Sequence, residues 1–182
     1  VGDDATGRLT GATRVSPLRR SAARVRRVRR NVFQVRLPDE ERRVLRALCA
    51  ELRDLLARDD RSTVRLFPPA YGDDQEASAQ FADIVHDDLV AGHIDAMQTV
   101  ESTLDATQLD EEQLTAWLGA LNDLRLVLGT RLNVTEDLYE RGVPPNDPQA
   151  PQLALYEYLG WLEEGIVQAL GEGLDPAGSE PT

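Results

Sequence analysis

Leu114, Trp117, Leu118, Leu121, Leu124, Leu128 and Leu132 recur at spacings of three and four, which puts them on one face of a helix. Leu126 and Val127 add apolar surface on other sides of the same stretch. The pattern therefore predicts a helix covered on most faces, the centre of a bundle. Its start is marked by Asp110 as a cap and Gln113 three residues on, with Leu109 and Leu114 placed to form a hydrophobic staple. Gly119 and Gly129 each cost roughly 1 kcal/mol against alanine in a helix, and are expected where a neighbouring helix passes close.

Three further long helices follow from the same reasoning. Pro38 opens the first, with Asp39, Glu40 and Glu41 in the turn where the helix dipole favours acids, and Val44, Leu45, Leu48, Leu52, Leu55 and Leu56 as its stripe. It fails around Asp59–Arg61. A connection, Ser62–Asp73, contains Pro68, Pro69 and Gly72, which stop a helix, while Leu66, Phe67 and Tyr71 either pin the loop to the bundle or offer a partner surface. The second helix runs from about Asp74 to Leu104. After the central helix, Thr135 caps a short accessory helix through Arg141, closed by Gly142. A proline-rich loop, Val143–Gln152, leads to a last helix from near Pro151 carrying Leu155, Leu159, Leu162, Ile166 and Leu170. Val32–Leu37 alternates apolar and polar and is a candidate short strand.

Charge divides the chain. Residues 1–37 carry ten arginines and two aspartates, a net +8, and residues 38–182 carry −20, within an overall −12. All 20 basic residues are arginine, which reads as the codon bias of a GC-rich genome. Residues 1–31, with Arg19, Arg20, Arg24, Arg26, Arg27, Arg29 and Arg30, are expected to be a basic arm, disordered in isolation. Such an arm could bind a phosphate backbone without sequence preference, or be a solvated tail, or fold back on the acidic bundle. Residues 173–182 read as a frayed tail. The absence of an apolar span or signal-peptide core gives a cytoplasmic location and no membrane contact as the expectation.

Candidate chemistry is thin. Cys49 is the single cysteine, excluding an intramolecular disulfide, and its place beside an apolar stripe suits a small buried hydrophobe better than a reactive thiol. His86 and His93 share a helix face but stand roughly 10.5 Å apart along the axis, too far to share a metal ion. Asp83-x-x-His86 lacks the second carboxylate-x-x-histidine that a di-iron bundle requires. There is no Gly-rich phosphate loop, no G-x-S-x-G elbow and no H-E-x-x-H. No catalytic residue, cofactor or metal ligand is assigned. Asn122, Asp123, Arg125 and Arg131 on the central helix are expected to form an internal polar network, because an unpaired buried charge is prohibitively costly. Glu163 is a candidate partner for Arg125. A ligand pocket near Arg125 is the alternative.

Two blocks, RLFPPAYGDDQEASAQFADIVHDDL (Arg65–Leu89) and LDEEQLTAWLGALNDLRLVLGTRLNVTED (Leu109–Asp137), resemble an actinobacterial family known as a domain of unknown function. Its genes tend to lie beside that of the ClpS-type protease adaptor. The resemblance spans roughly residues 30–172 and is most specific in the order of leucines, Asn122-Asp123, Arg125 and Gly129-Thr130-Arg131. It implies transcriptional regulation in oxidative stress through contact with the transcription machinery, and brings no catalytic or metal-binding residues. A redox switch made of a cysteine pair within one chain cannot operate here, since Cys49 has no partner.

The expectation is an all-α protein: one bundle of four main helices with a short accessory helix and a minor N-terminal strand, over residues 32–172. Its expected function is non-enzymatic regulation by protein–protein contact, with Leu66, Phe67 and Tyr71 as a contact surface. Nucleic-acid binding by the arm and small-molecule sensing near Arg125 are the alternatives. The pattern names neither a partner nor an oligomeric state.

Overall fold

The computed structural model describes residues 23–67, 75–135 and 147–172, with backbone alone over 75–85. In chain order it places strands β1 (Val25–Arg29) and β2 (Val32–Val35), helix α1 (Asp39–Ala57) and a 3-10 helix (Arg61–Leu66). Helix α2 (Gln75–Thr103), strand β3 (Gln108–Leu109), α3 (Glu111–Arg131) and α4 (Ala150–Gly171) follow. The architecture is all-α in its main body, with a small antiparallel sheet of order β1-β2-β3 at one end. The accessory helix expected from Thr135 lies outside the described residues beyond Thr135 itself, as do the tail from 173 and most of the Val143–Gln152 loop.

The sheet corrects the boundary drawn for the basic arm. Val25–Arg29 was expected to be disordered and instead pairs with β2, Val25 opposite Val35 and Arg27 opposite Phe33. The reason is alternation: Val25 is buried while Arg26 points outward, so the strand has an apolar side to contribute. A lone β2 would be unstable; with β1 on one edge and β3 on the other it is the middle strand. Asn31 turns the hairpin at φ 56°, a left-handed conformation that asparagine tolerates better than most residues. Its side-chain oxygen accepts from the Glu111 amide at 3.0 Å, so the hairpin turn also caps the central helix.

The helix ends follow local chemistry. The Asp110 carboxylate accepts from the Gln113 amide at 2.8 Å while the Gln113 side chain accepts from the Asp110 amide at 3.1 Å, the full reciprocal box. Alpha-1 stops where Asp59 adopts φ 50°. The Asp60 carboxylate then accepts from the Ser62 amide and hydroxyl at 2.9 and 2.6 Å, starting a 3-10 helix where a plain connection was expected.

One core joins all the elements. Phe33 and Val35 of β2, Leu45, Cys49 and Leu52 of α1, Met97 and Val100 of α2, Leu114, Trp117 and Leu121 of α3, and Leu159, Leu162 and Ile166 of α4 are all buried in it. Helix α3 contacts α1, α2, α4, the 3-10 helix and β2, the central position its leucine pattern predicts. Trp117, fully buried, donates its indole N–H to the Thr103 hydroxyl at 2.7 Å, which removes the cost of burying that donor.

Candidate functional site

The polar residues of α3 do not meet one another. Successive residues of a helix are turned by about 100°, so Asp123, Arg125 and Arg131 point in three directions. Each reaches a different helix: Asp123 pairs with His93 of α2, Arg125 with Glu163 of α4, and Arg131 with Glu51 of α1. Asn122 is exposed and, among the described residues, is not joined to the other three. The expected single internal network is thus three separate ion pairs, each tying the central helix to one neighbour.

The His93–Asp123 pair is the most enclosed of the three. His93 Nδ1 lies 2.6 Å from Asp123 Oδ2, with 20% and 7% of the side chains exposed. The ring also hydrogen-bonds the Leu66 backbone, and the Phe67 ring packs edge-on against it with centroids 5.6 Å apart. The same Phe67 meets His86 at 4.7 Å, so both histidines serve to seat one aromatic. The hydrogen bond to Asp123 raises the His93 pKa, burial opposes, and the Asp123 charge and the Leu66 backbone add to the rise.

These contacts correct the expected partner surface. Leu66 is 6% exposed and belongs to the core, and Phe67 is half-buried against the histidines. Tyr71 lies outside the described residues.

On the opposite side of α3, Arg125 donates to Glu163 Oε2 at 3.0 Å, the pairing its position suggested. Its guanidinium stacks 4.9 Å from the Tyr156 ring centroid and passes directly over Gly160, where a Cβ would come within 3.2 Å of Nε. Gly129 likewise makes room for Tyr156, a Cβ there reaching 3.1 Å from the ring. Gly119 does not mark a close approach, since a Cβ there would meet nothing within 4 Å. Burial pushes the Glu163 pKa up, against the lowering effect of Arg125. Beside this pair runs an open groove of about 590 Å³ between α3 and α4, lined among others by Leu118, Asn122, Gly160, Glu163, Glu164 and Val167.

The arginines of the arm divide in two. Arg24 forms a bidentate pair with Glu41 at 2.7 and 3.1 Å, and the Tyr158 hydroxyl donates to the same carboxylate at 2.7 Å. Burial, then Glu41, raises the Tyr158 pKa. Arg27 stacks over Phe33 and donates to the carbonyls of Ala169 and Leu170 at 3.2 and 2.9 Å, capping the end of α4. Both are structural. Arg26 reaches across to Gln34, and Arg29 and Arg30 are exposed. Arg19 and Arg20 lie outside the described residues.

Cys49 is fully buried, and its pKa is pushed up to about 12, chiefly by burial and then by the Glu101 charge. Among the described residues no group of three or more His, Cys, Asp or Glu is placed to hold a metal ion. Sequence reasoning missed the His93–Asp123 pair and the Glu41 hub. Neither has a signal in spacing, because each joins residues from elements far apart in the chain.

Residues 20–170 match the family described as a domain of unknown function, DUF2017, and the chain belongs to it. AosR of Mycobacterium leprae is 31% identical over 123 residues, 65% of this chain and 55% of that protein. The proteins of Mycobacterium bovis and Mycobacterium tuberculosis named oxidative stress regulator AosR are 36% identical over 74 residues, 41% of this chain and 34% of theirs. The chain therefore spans a little over half the length of the first relative and about a third of the others. No solved structure matches it.

Proposed function

We propose, taking membership of this family as the premise, that the chain is a regulatory protein of the oxidative-stress response that acts by contact with another protein and catalyses no reaction. The observation carrying the reading is its similarity to mycobacterial proteins named oxidative stress regulators. The side chains best suited to chemistry are also committed elsewhere. His93 is held between Asp123 and the Leu66 backbone, and the Cys49 thiol is shut in the core and protonated at neutral pH. The groove between α3 and α4 is open to solvent, which suits contact with another protein. In this reading the protein works in the cytoplasm; no helix among the described residues is long and apolar enough to cross a membrane.

The test is deletion of the gene in its native host, followed by transcript profiling before and after a peroxide challenge. The reading expects an altered transcriptional response, restored by the wild-type gene and equally by a Cys49→Ala copy. An unaltered response in the deletion strain would overturn it.

A further inference from the structure

Helix α4 spans 22 residues without one arginine, although arginine is the chain's sole strong base, and it carries Glu157, Glu163 and Glu164. It is also apolar on more sides than the core uses: Tyr158, Leu159, Leu162 and Ile166 are buried, while Val167 is 54% exposed at the groove against α3. Glu163 lines that groove. Its Oε2 takes the Arg125 hydrogen bond, and the exposed carboxylate on the rim is that of Glu164. An exposed carboxylate beside an apolar groove favours a cationic partner over an anionic one. Glu164 and Gln168 also border a second pocket with Glu157, Trp161 and Arg24, and that arginine is already paired with Glu41.

We propose that the α3–α4 groove is a docking site for a basic amphipathic segment of a partner protein, with an apolar side chain between Leu118 and Val167 and an arginine or lysine pairing with the exposed Glu164. Binding of this kind reads a short helical or extended segment by a few anchors and uses the acidic rim for orientation and rate. A second copy of the same face is disfavoured, since it would set carboxylates against carboxylates. The inference rests on the reading that the chain acts by protein contact, but the deletion experiment and the one below can fail separately.

The experiment titrates the full chain with a synthetic helical peptide of leucine and arginine in an i, i+3, i+4 pattern, read by anisotropy and by amide chemical shifts. Shifts should cluster at Leu118, Gly160, Glu163 and Val167. Val167→Asp and Glu164→Arg, both exposed positions, should each weaken binding about tenfold, roughly 1.4 kcal/mol. Val64→Asp, at an exposed valine elsewhere, should leave it unchanged. The same peptide with glutamate for arginine should not bind. Equal affinity across the variants, or shifts centred elsewhere, would overturn the proposal. So would two other occupants: a wild-type dimer that Val167→Asp dissociates, or a spin label at Val167→Cys that broadens residues 1–22 of its own chain.

Discussion

His93 Nδ1 stands 2.6 Å from Asp123 Oδ2 across the contact between α2 and α3, thirty positions apart in the chain. The ring's bond to the Leu66 backbone makes this pair the joint where the 3-10 helix is fastened to two long helices. Removing one partner leaves the other buried without its hydrogen bond. His93→Leu should therefore cost about 1–3 kcal/mol, while the double variant His93→Leu, Asp123→Leu should cost less than the two single variants summed. Urea unfolding of the four proteins completes the cycle, and strict additivity would show the pair to be uncoupled.

The same pair gives stability a pH dependence whose sign is fixed. The folded state holds the His93 proton more tightly than the unfolded chain, whose value is near the ordinary 6.5. Stability from this group is thus fully present below 6.5 and is lost as pH rises through the higher folded value. The raised Glu163 pKa acts in the same sense from lower pH, because the folded state disfavours its ionised form. Unfolding free energies measured from about pH 5.5 to 8.5 should decline less steeply for His93→Gln than for the wild type. Parallel profiles would remove His93 as the cause.

The glycines of the bundle should divide by their neighbours. Gly160→Ala places a Cβ 3.2 Å from Arg125 Nε, so the guanidinium, held by Glu163 and Tyr156, must give by a few tenths of an ångström. Gly92→Ala and Gly119→Ala meet nothing within 4 Å. Those two should stabilise by about 0.4–1 kcal/mol through reduced freedom of the unfolded chain, whereas Gly160→Ala should destabilise. Thermal melts of the three variants test this, and a stabilised Gly160→Ala would contradict the described packing.

Asn31 has two roles that substitution separates. Asn31→Gly keeps the left-handed turn at φ 56° but loses the cap on Glu111, at a cost of about 1 kcal/mol. Asn31→Ala loses both and should cost about 1 kcal/mol more, since a Cβ strains that conformation. Equal melting temperatures for the two would show that the turn carries no strain.

Cys49 should be inert in the folded protein. With a pKa of about 12 and no exposure, it should react with a thiol reagent at pH near 8 only as fast as the protein unfolds. Native labelling on mixing would contradict this. Any response to oxidant therefore belongs to a partner or to a residue other than this thiol.

Periodicity along the chain was sufficient for the four main helices, the capping box at Asp110, the ends near Asp59 and Pro151, and the central place of α3. Each rests on side chains close in sequence, where spacing alone sets the face or the cap. It also required that Asp123 and Arg125 be answered from within, because burying a bare charge costs too much. Glu163 was a candidate for Arg125 from the sequence, but the groups that answer Asp123 and Arg131 were decided only by the packing of the helices. A helix fixes the direction of each side chain but not what stands opposite, so His93 and Glu51 became partners only when α2 and α1 took their places around α3. The same holds for the arm: Val25–Arg29 gains its strand from the free edge of β2, and Arg24 its role from Glu41 and Tyr158, contacts that have no existence until the chain has closed on itself.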